Sequence, residues 1–178
     1  MRTVVVILLI NFCSNVWANN VVTGSAGNKL EGKVVSQFNS PWAMSFINND
    51  NLLVTTKAGK LWLVSTSGEP SLVSGVPKVF IGGQGGLGDV VIHPNFIKNR
   101  LVYISYINSD NAGETRYASV IRGTLENSDK PQLNNIETIW KQTPPQAGKG
   151  HFSHRIAFGL DGTQHTGKIF ITSGDRQE

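Results

Sequence analysis

The sequence is nearly free of cysteine and carries little charge. Cys13 is its one cysteine among 178 residues. Small exported domains often depend on disulfides, so a chain without a cysteine pair must be held together by burial of apolar surface. The 16 basic and 12 acidic residues give a formal net charge of +4, and the basic residues form no run. Because nucleic-acid binding requires a clustered basic face, we predict no nucleic-acid partner.

Long apolar runs are also missing. The longest, residues 4–10, is far shorter than the roughly 20 residues that a membrane-spanning helix needs. It follows Arg2 and precedes the small residue Ala18, which is the order of a secretory signal peptide. We therefore predict that residues 1–18 are a signal peptide, that residues 19–178 are exported without a membrane span, and that the protein is periplasmic or secreted. A buried N-terminal strand is the alternative interpretation.

Apolar spacing typical of helices is almost absent, and short β-rich runs separated by turn residues replace it. The sequence is therefore expected to be all-β. The predicted strands are 42–47, 52–56, 60–65, a short one near 71–74, 88–92, 101–107, 118–125, 136–141, 155–158 and 168–172.

Three stretches of the chain look like diverged copies of one unit. They are WAMSFINNDNLLVTT, DVVIHPNFIKNRLVYIS and RIAFGLDGTQHTGKIFITS, each a strand, a polar turn and a second strand ending in small hydroxyl residues. Repeated four-stranded sheets of this kind are the blades of a β-propeller, so we predict about two and a half blades; a β-sandwich is the alternative. Propellers close with about four to eight blades. The chain is therefore interpreted as the N-terminal part of a longer protein, inactive alone and prone to aggregate through an exposed blade edge.

A glycine-rich segment matches the pattern G-x-G-x-x-G at Gly83, Gly85 and Gly88. A dinucleotide-binding turn needs a helix straight after the glycines, because the helix N-terminus holds the pyrophosphate. Here β-branched residues 90–92 favour a strand, and Pro94 would stop a helix. The segment is therefore not interpreted as a nucleotide site. Its glycines are expected to let a loop pass close over a different site.

Three stretches, taken in order, resemble the soluble sugar dehydrogenases that depend on pyrroloquinoline quinone (PQQ), namely the glucose and aldose sugar dehydrogenases. The matching motifs are PWAMSF and LVTT, then GQGGLGDV and HPNF, and finally GHF, RIAF and GDR. The resemblance begins at about Ser40. It implies a propeller with six blades in the complete fold, with PQQ over the central channel and a calcium ion beside the cofactor.

The resemblance also implies an activity. An aldose sugar would be oxidised at its anomeric carbon to a lactone by hydride transfer to the quinone, and the electrons would then pass to an external acceptor. Calcium would act as a Lewis acid, but its ligands and the basic residues that hold the cofactor would lie in later blades, so no metal ligand is assigned. The alternative is a non-catalytic propeller that binds carbohydrate or protein partners.

Two residues match family positions at the site. His151 aligns with the general base that takes the proton of the anomeric hydroxyl, and imidazole is the side chain that exchanges protons near neutral pH. Gln84 aligns with a glutamine that contacts cofactor or sugar, and its amide can donate and accept hydrogen bonds. The plainer interpretations are a surface-loop histidine and a turn residue.

The chain departs from the family at two places near His151. Gly150 replaces an acidic residue of glucose-specific members, which favours a broader aldose enzyme. His154 stands where the family has a small residue, and it could either crowd the pocket or add a contact. A zinc site formed by the two histidines is disfavoured, because no third ligand has suitable spacing. Asp175 and Arg176 follow a strand at the face where propeller sites form; they are interpreted as structural, with a direct role in the site as the alternative. The tryptophans at 42, 62 and 140 are interpreted as blade core rather than as ligand platforms.

Overall fold

The computed structural model describes residues 20–176, and this part of the chain is almost entirely β. The predicted signal peptide lies outside the described residues. The strands and the single short helix in the described part are β1 (Asn20–Thr23), β2 (Lys29–Gly32), β3 (Pro41–Phe46), β4 (Asn51–Thr56), β5 (Lys60–Ser65), β6 (Pro70–Val73), β7 (Leu87–Ile92), α1 (Phe96–Asn99), β8 (Leu101–Asn108), β9 (Tyr117–Glu126), β10 (Gln132–Lys141), β11 (Ser153–Asp161) and β12 (Gln164–Ser173). No helix in residues 20–176 is long and apolar enough to cross a membrane.

The chain divides into two compact units, residues 1–35 and residues 36–178. In the described part of the first unit, β1 pairs antiparallel with β2, with Val21 opposite Glu31. The β2 side chains are exposed. This unit is a surface hairpin without a core of its own among its described residues.

The first blade is the antiparallel sheet β3-β4-β5-β6. Its polar turn at 48–51 forms because the Asn48 side-chain oxygen accepts hydrogen bonds from the backbone N–H groups of Asp50 and Asn51, at 2.9 and 2.8 Å. This is the local bonding that makes asparagine a turn former. Strands β4 and β5 each contain a continuous apolar run, and Leu53 and Leu61 are completely buried.

The second blade is the antiparallel sheet β7-β8-β9-β10. Its middle strands, β8 and β9, are buried along most of their length, because neighbouring sheets cover both of their faces. Strand β7 carries a bulge between Leu87 and Val90. The bulge turns Asp89 into the interior, where the side chain is 2% exposed and accepts a hydrogen bond from the Ile156 N–H of β11 at 2.8 Å.

Strands β11 and β12 form an antiparallel pair that opens a third blade. Both β3 and β11 pack against β7, so the first strands of three successive blades lie side by side. A large apolar cluster joins the first two blades, with Leu53, Leu87 and Ile104 at its centre. A second cluster around Tyr103 and Ile156 joins the second blade to the third. The prediction of a propeller with about two and a half blades is confirmed.

Some element limits differ from the prediction for physical reasons. Strand β10 begins four residues earlier than predicted, at Gln132, because pairing with β9 recruits the polar residues at its start despite two register shifts. Strand β12 likewise extends to the polar Gln164, which pairs with Asp161. One turn of helix, α1, was not predicted; it ends at Arg100, whose φ is 57° and whose N–H bonds to the Phe96 carbonyl.

Candidate functional site

An open pocket of about 420 Å³ is lined by β3, by the start of β11 and by the loops that carry Gln84, His151 and Asp175. It contains both residues that the sequence predicts for the site. The residues that line it are Trp42, Gln84, His151, Phe152, Ser153, His154, Gly174 and Asp175.

Gln84 holds the loop that carries His151. Its side-chain Oε1 accepts a hydrogen bond from the His151 backbone N–H at 2.7 Å. The backbone N–H of Gln84 donates to the Lys149 carbonyl at 2.9 Å. The amide oxygen is therefore engaged within the protein. The side-chain NH₂ is the part of Gln84 that can donate to a ligand in the pocket.

The glycines around Gln84 permit close contact between segments of backbone. At Gly83, with φ of 55°, a Cβ atom would lie 2.3 Å from the Lys149 carbonyl oxygen; at Gly86, with φ of 127°, it would lie 2.3 Å from that of Lys57. Lys57 Nζ also donates to the Gly83 carbonyl at 2.5 Å. The glycine segment therefore ties together the loops that border the pocket, and no strand forms at 79–81 before it.

His151 is paired with a carboxylate. Its Nδ1 lies 2.8 Å from Asp175 Oδ1, and the imidazole remains 46% exposed. Because a carboxylate only accepts hydrogen bonds, Nδ1 carries the proton in this pair, and Nε2 of the neutral ring keeps a free lone pair. Gly174 makes the approach possible, since a Cβ there would lie 1.9 Å from the His151 carbonyl oxygen.

The backbone around His151 is strained. His151, Ser153 and His154 all have φ near 50° to 60°, a left-handed conformation that costs an L-residue with a side chain roughly 1–2 kcal/mol. Such conformations persist where the surroundings fix them, and they cluster at functional sites. Here the strain directs two histidine side chains toward the same pocket.

Arg176 also holds the loop that carries His151. Its side chain is buried and donates to the carbonyls of Gly148 and Gly150, at 2.5 and 3.2 Å. Its guanidinium stacks on the Phe152 ring at 3.8 Å. The structural interpretation of Arg176 agrees with these contacts, whereas Asp175 contacts His151 directly. The sequence signal for that contact was available: the GDR motif follows β12 at the same end of the sheet.

His154 fills the floor of the pocket. It is 3% exposed, and its ring stacks on Trp42 with 6.2 Å between ring centroids and 5° between planes. A Cβ at Gly88 would lie 1.9 Å from His154 Cε1, so only glycine leaves room for the ring. Trp42 is 47% exposed. Its interpretation as blade core was therefore wrong: Trp42 lines the pocket.

The surroundings of His154 disfavour its charged form. Burial lowers its pKa to about 4, and the positive charge of Arg155 acts in the same direction. Its Nδ1 lies 2.8 Å from Ser105 Oγ in the buried strand β8. The two histidines of the pocket thus differ in exposure and in hydrogen-bond partner.

The residues of the pocket suit a planar ligand rich in oxygen atoms. The exposed Trp42 ring, which stacks on His154, offers a flat surface, and the Gln84 amide offers a neutral donor. These features fit a quinone cofactor. In residues 20–176, no three His, Cys, Asp or Glu side chains come together as a possible metal site, so these residues do not fit the calcium ion implied by the resemblance.

Comparison with known proteins gives consistent relatives. The Glucose / Sorbosone dehydrogenase family model matches residues 38–178. Aldose sugar dehydrogenase YliI of Escherichia coli (strain K12) is 34% identical over 141 residues, covering 78% of this chain and 36% of that protein. A crystal structure of a glucose dehydrogenase superposes with a TM-score of 0.70 at 31% identity, covering 78% of this chain and 39% of that chain.

A further solved structure contains the cofactor. The PQQ-bound form of aldose sugar dehydrogenase from Streptomyces coelicolor superposes with a TM-score of 0.62 at 25% identity, covering 71% of this chain and 37% of that one. The chain thus spans between about a third and two fifths of the length of these relatives. Because the family model matches most of the chain, the chain belongs to the glucose/sorbosone dehydrogenase family.

Proposed function

We propose that the full-length protein oxidises aldose sugars at the anomeric carbon and passes the hydride to PQQ. The observation that carries this proposal is the His151–Asp175 pair, 2.8 Å apart, at the edge of a pocket in a chain of this family. A sugar hydroxyl is too weak an acid to lose its proton unaided at neutral pH. A fixed imidazole with a free Nε2 is the group that can take it.

In the proposed reaction, His151 Nε2 accepts the proton of the anomeric hydroxyl while the C1–H bond breaks. PQQ, when bound, supplies the two-electron acceptor for the departing hydride. The sugar is left as a lactone, and the two electrons leave later to an external acceptor. Asp175 holds the imidazole in the tautomer that exposes Nε2, and it stabilises the imidazolium that forms.

Gln84 has two parts in this proposal. Its oxygen fixes the His151 backbone, so the base cannot rotate away with its loop. Its NH₂ group can donate to an oxygen of the sugar or of the cofactor. The neutral Gly150 beside the base leaves space without adding charge, which favours a range of aldoses over glucose alone.

The cofactor set and the location belong to the proposal as well. Calcium would be held by residues outside 20–176, together with the basic groups that bind the quinone carboxylates. The apolar run at 4–10 favours export, and hence oxidation of sugars in the periplasm or outside the cell.

The test uses full-length apoprotein with PQQ, calcium and an artificial electron-accepting dye. We expect dye reduction that depends on both PQQ and aldose, with the lactone as product, and loss of activity after removal of calcium by a chelator. If the protein binds sugar but never reduces dye under these conditions, the non-catalytic binding propeller is the correct interpretation. A nicotinamide cofactor added in place of PQQ serves as the control and should support no turnover.

A further inference from the structure

We propose that His154 is a specificity-determining residue, whose Nε2–H donates a hydrogen bond to an acceptor oxygen of the ligand in the pocket. This inference rests on the proposed function, since the ligand is either the quinone, through a carbonyl or carboxylate oxygen, or the sugar, through a hydroxyl.

The position of His154 is built by three blades. The residue lies at the start of β11, stacks on Trp42 of β3 and covers Gly88 of β7, where no Cβ would fit. Ser105 of β8 holds its Nδ1. A surface histidine would have none of these constraints. The ring is therefore fixed in orientation, which is what selection of one ligand over another requires.

The hydrogen bonds of Ser105 determine which ring nitrogen carries the proton. Ser105 Oγ accepts from the Asp89 backbone N–H at 2.7 Å, and Ser105 is fully buried. Its hydroxyl proton has His154 Nδ1 as its acceptor within the described residues, and a buried hydroxyl rarely leaves its proton unpaired. His154 Nδ1 therefore accepts, and the proton of the neutral ring lies on Nε2.

The Nε2–H group has no hydrogen-bond partner within residues 20–176. In residues 20–176, Arg116 Nε is the one fully enclosed side-chain nitrogen or oxygen that lacks a hydrogen-bond partner. His154 Nε2 also lacks a partner in this part of the chain, but it is not one of the fully enclosed atoms. His154 is one of the residues that line the pocket. A donor that has lost most of its hydration and has no protein partner is favourably placed to bond a ligand oxygen.

The charge of the ring agrees with a donor of this kind. Because burial lowers the pKa of His154 to about 4, the ring is neutral at neutral pH and donates through Nε2 alone. It neither repels a cation nor attracts every anion. The selectivity then depends on the direction of one N–H bond.

Two substitutions separate this donor from packing. In His154→Asn, the side-chain amide can reach Ser105 but not the position of Nε2. In His154→Gln, the amide can reach the position of Nε2 while the bond to Ser105 is lost. Each full-length variant is assayed in two ways: the Kd of the calcium-containing apoprotein for PQQ by calorimetry, and the KM for an aldose at saturating PQQ.

We expect His154→Asn to raise one of these two constants roughly tenfold, which corresponds to the loss of one hydrogen bond of ordinary strength. In His154→Gln the same constant should lie within about threefold of the wild-type value. A raised Kd for PQQ identifies the quinone as acceptor; a raised KM with unchanged Kd identifies the sugar. Equal effects of both variants, following their loss in Tm, would show a packing role and overturn the inference. A wild-type protein that neither binds PQQ nor oxidises aldose would overturn the proposed function, and this inference with it.

Discussion

The two histidines of the pocket, three positions apart, have opposite surroundings. His151 lies in a loop, is 46% exposed and pairs with the Asp175 carboxylate. His154 lies in a strand, is 3% exposed and pairs with the Ser105 hydroxyl. A carboxylate stabilises a positive ring, whereas burial and a neutral partner keep a ring neutral. In the proposed function, one residue type would thus supply both a proton acceptor, His151, and a fixed neutral donor, His154.

The largest effect on stability is expected from acid, through protonation of His154. Its folded pKa of about 4 lies below the unfolded value of 6.5, so the unfolded state binds the proton first. The stabilisation by neutral His154 is complete above pH 6.5, declines as the pH falls towards 4, and is lost below that. At most about 3 kcal/mol is involved.

Urea unfolding of wild type and His154→Asn at pH 7 and pH 4.5 measures how much His154 contributes to the pH dependence of the unfolding free energy. The difference in unfolding free energy between the two proteins should shrink at the lower pH, since the variant has no group to protonate. A difference that stays constant between the two pH values would mean that His154 is not held neutral by the fold.

The next effect concerns turnover and the His151–Asp175 pair. Asp175→Asn removes the carboxylate that orients His151 and stabilises its charged form, so kcat should fall by roughly 30- to 100-fold, less than in fully buried triads because Asp175 is exposed. The KM for aldose should stay within about threefold of wild type. Asp161→Asn, at the exposed end of β11, is the matched control. A fall in kcat equal to that of the control would remove Asp175 from the mechanism.

The smallest effect concerns the space beneath His154. Gly88→Ala places a Cβ against His154 Cε1, and such overpacking should lower the unfolding free energy by about 1–3 kcal/mol. In a His154→Gly background the same change should cost much less, because the ring is gone. A double-mutant cycle of unfolding free energies measures this coupling; additive effects would contradict the packing of the floor.

The fold was largely predictable, because its strands carry local signals. Strand β5, predicted as 60–65, is Lys60–Ser65, since the apolar run 61–64 lies between turns that contain Gly59 and Gly68. The start of β10 carries no such signal, because its polar residues join the sheet only through pairing with β9. The predicted strand limits were therefore wrong where pairing with the partner strand determines how far a strand extends.

The site was less predictable, because its contacts join distant parts of the chain. The motif around His151 predicts the base. Its partner Asp175 is 24 residues away, and a short motif does not show which distant residue lies beside it. The contact of Trp42 with His154 joins β3 to β11. That follows from the packing of three blades and cannot be read from either residue's neighbours.

The central claim is that His151 is the proton acceptor of the reaction, and the most direct test is the kcat of full-length His151→Ala with PQQ, calcium and aldose. We expect kcat to fall by about 10²–10⁴-fold, the usual contribution of a general base, with PQQ still bound at its wild-type Kd. His165→Ala, an exposed histidine of β12 outside the pocket, should keep wild-type turnover. Full turnover by His151→Ala would contradict the claim.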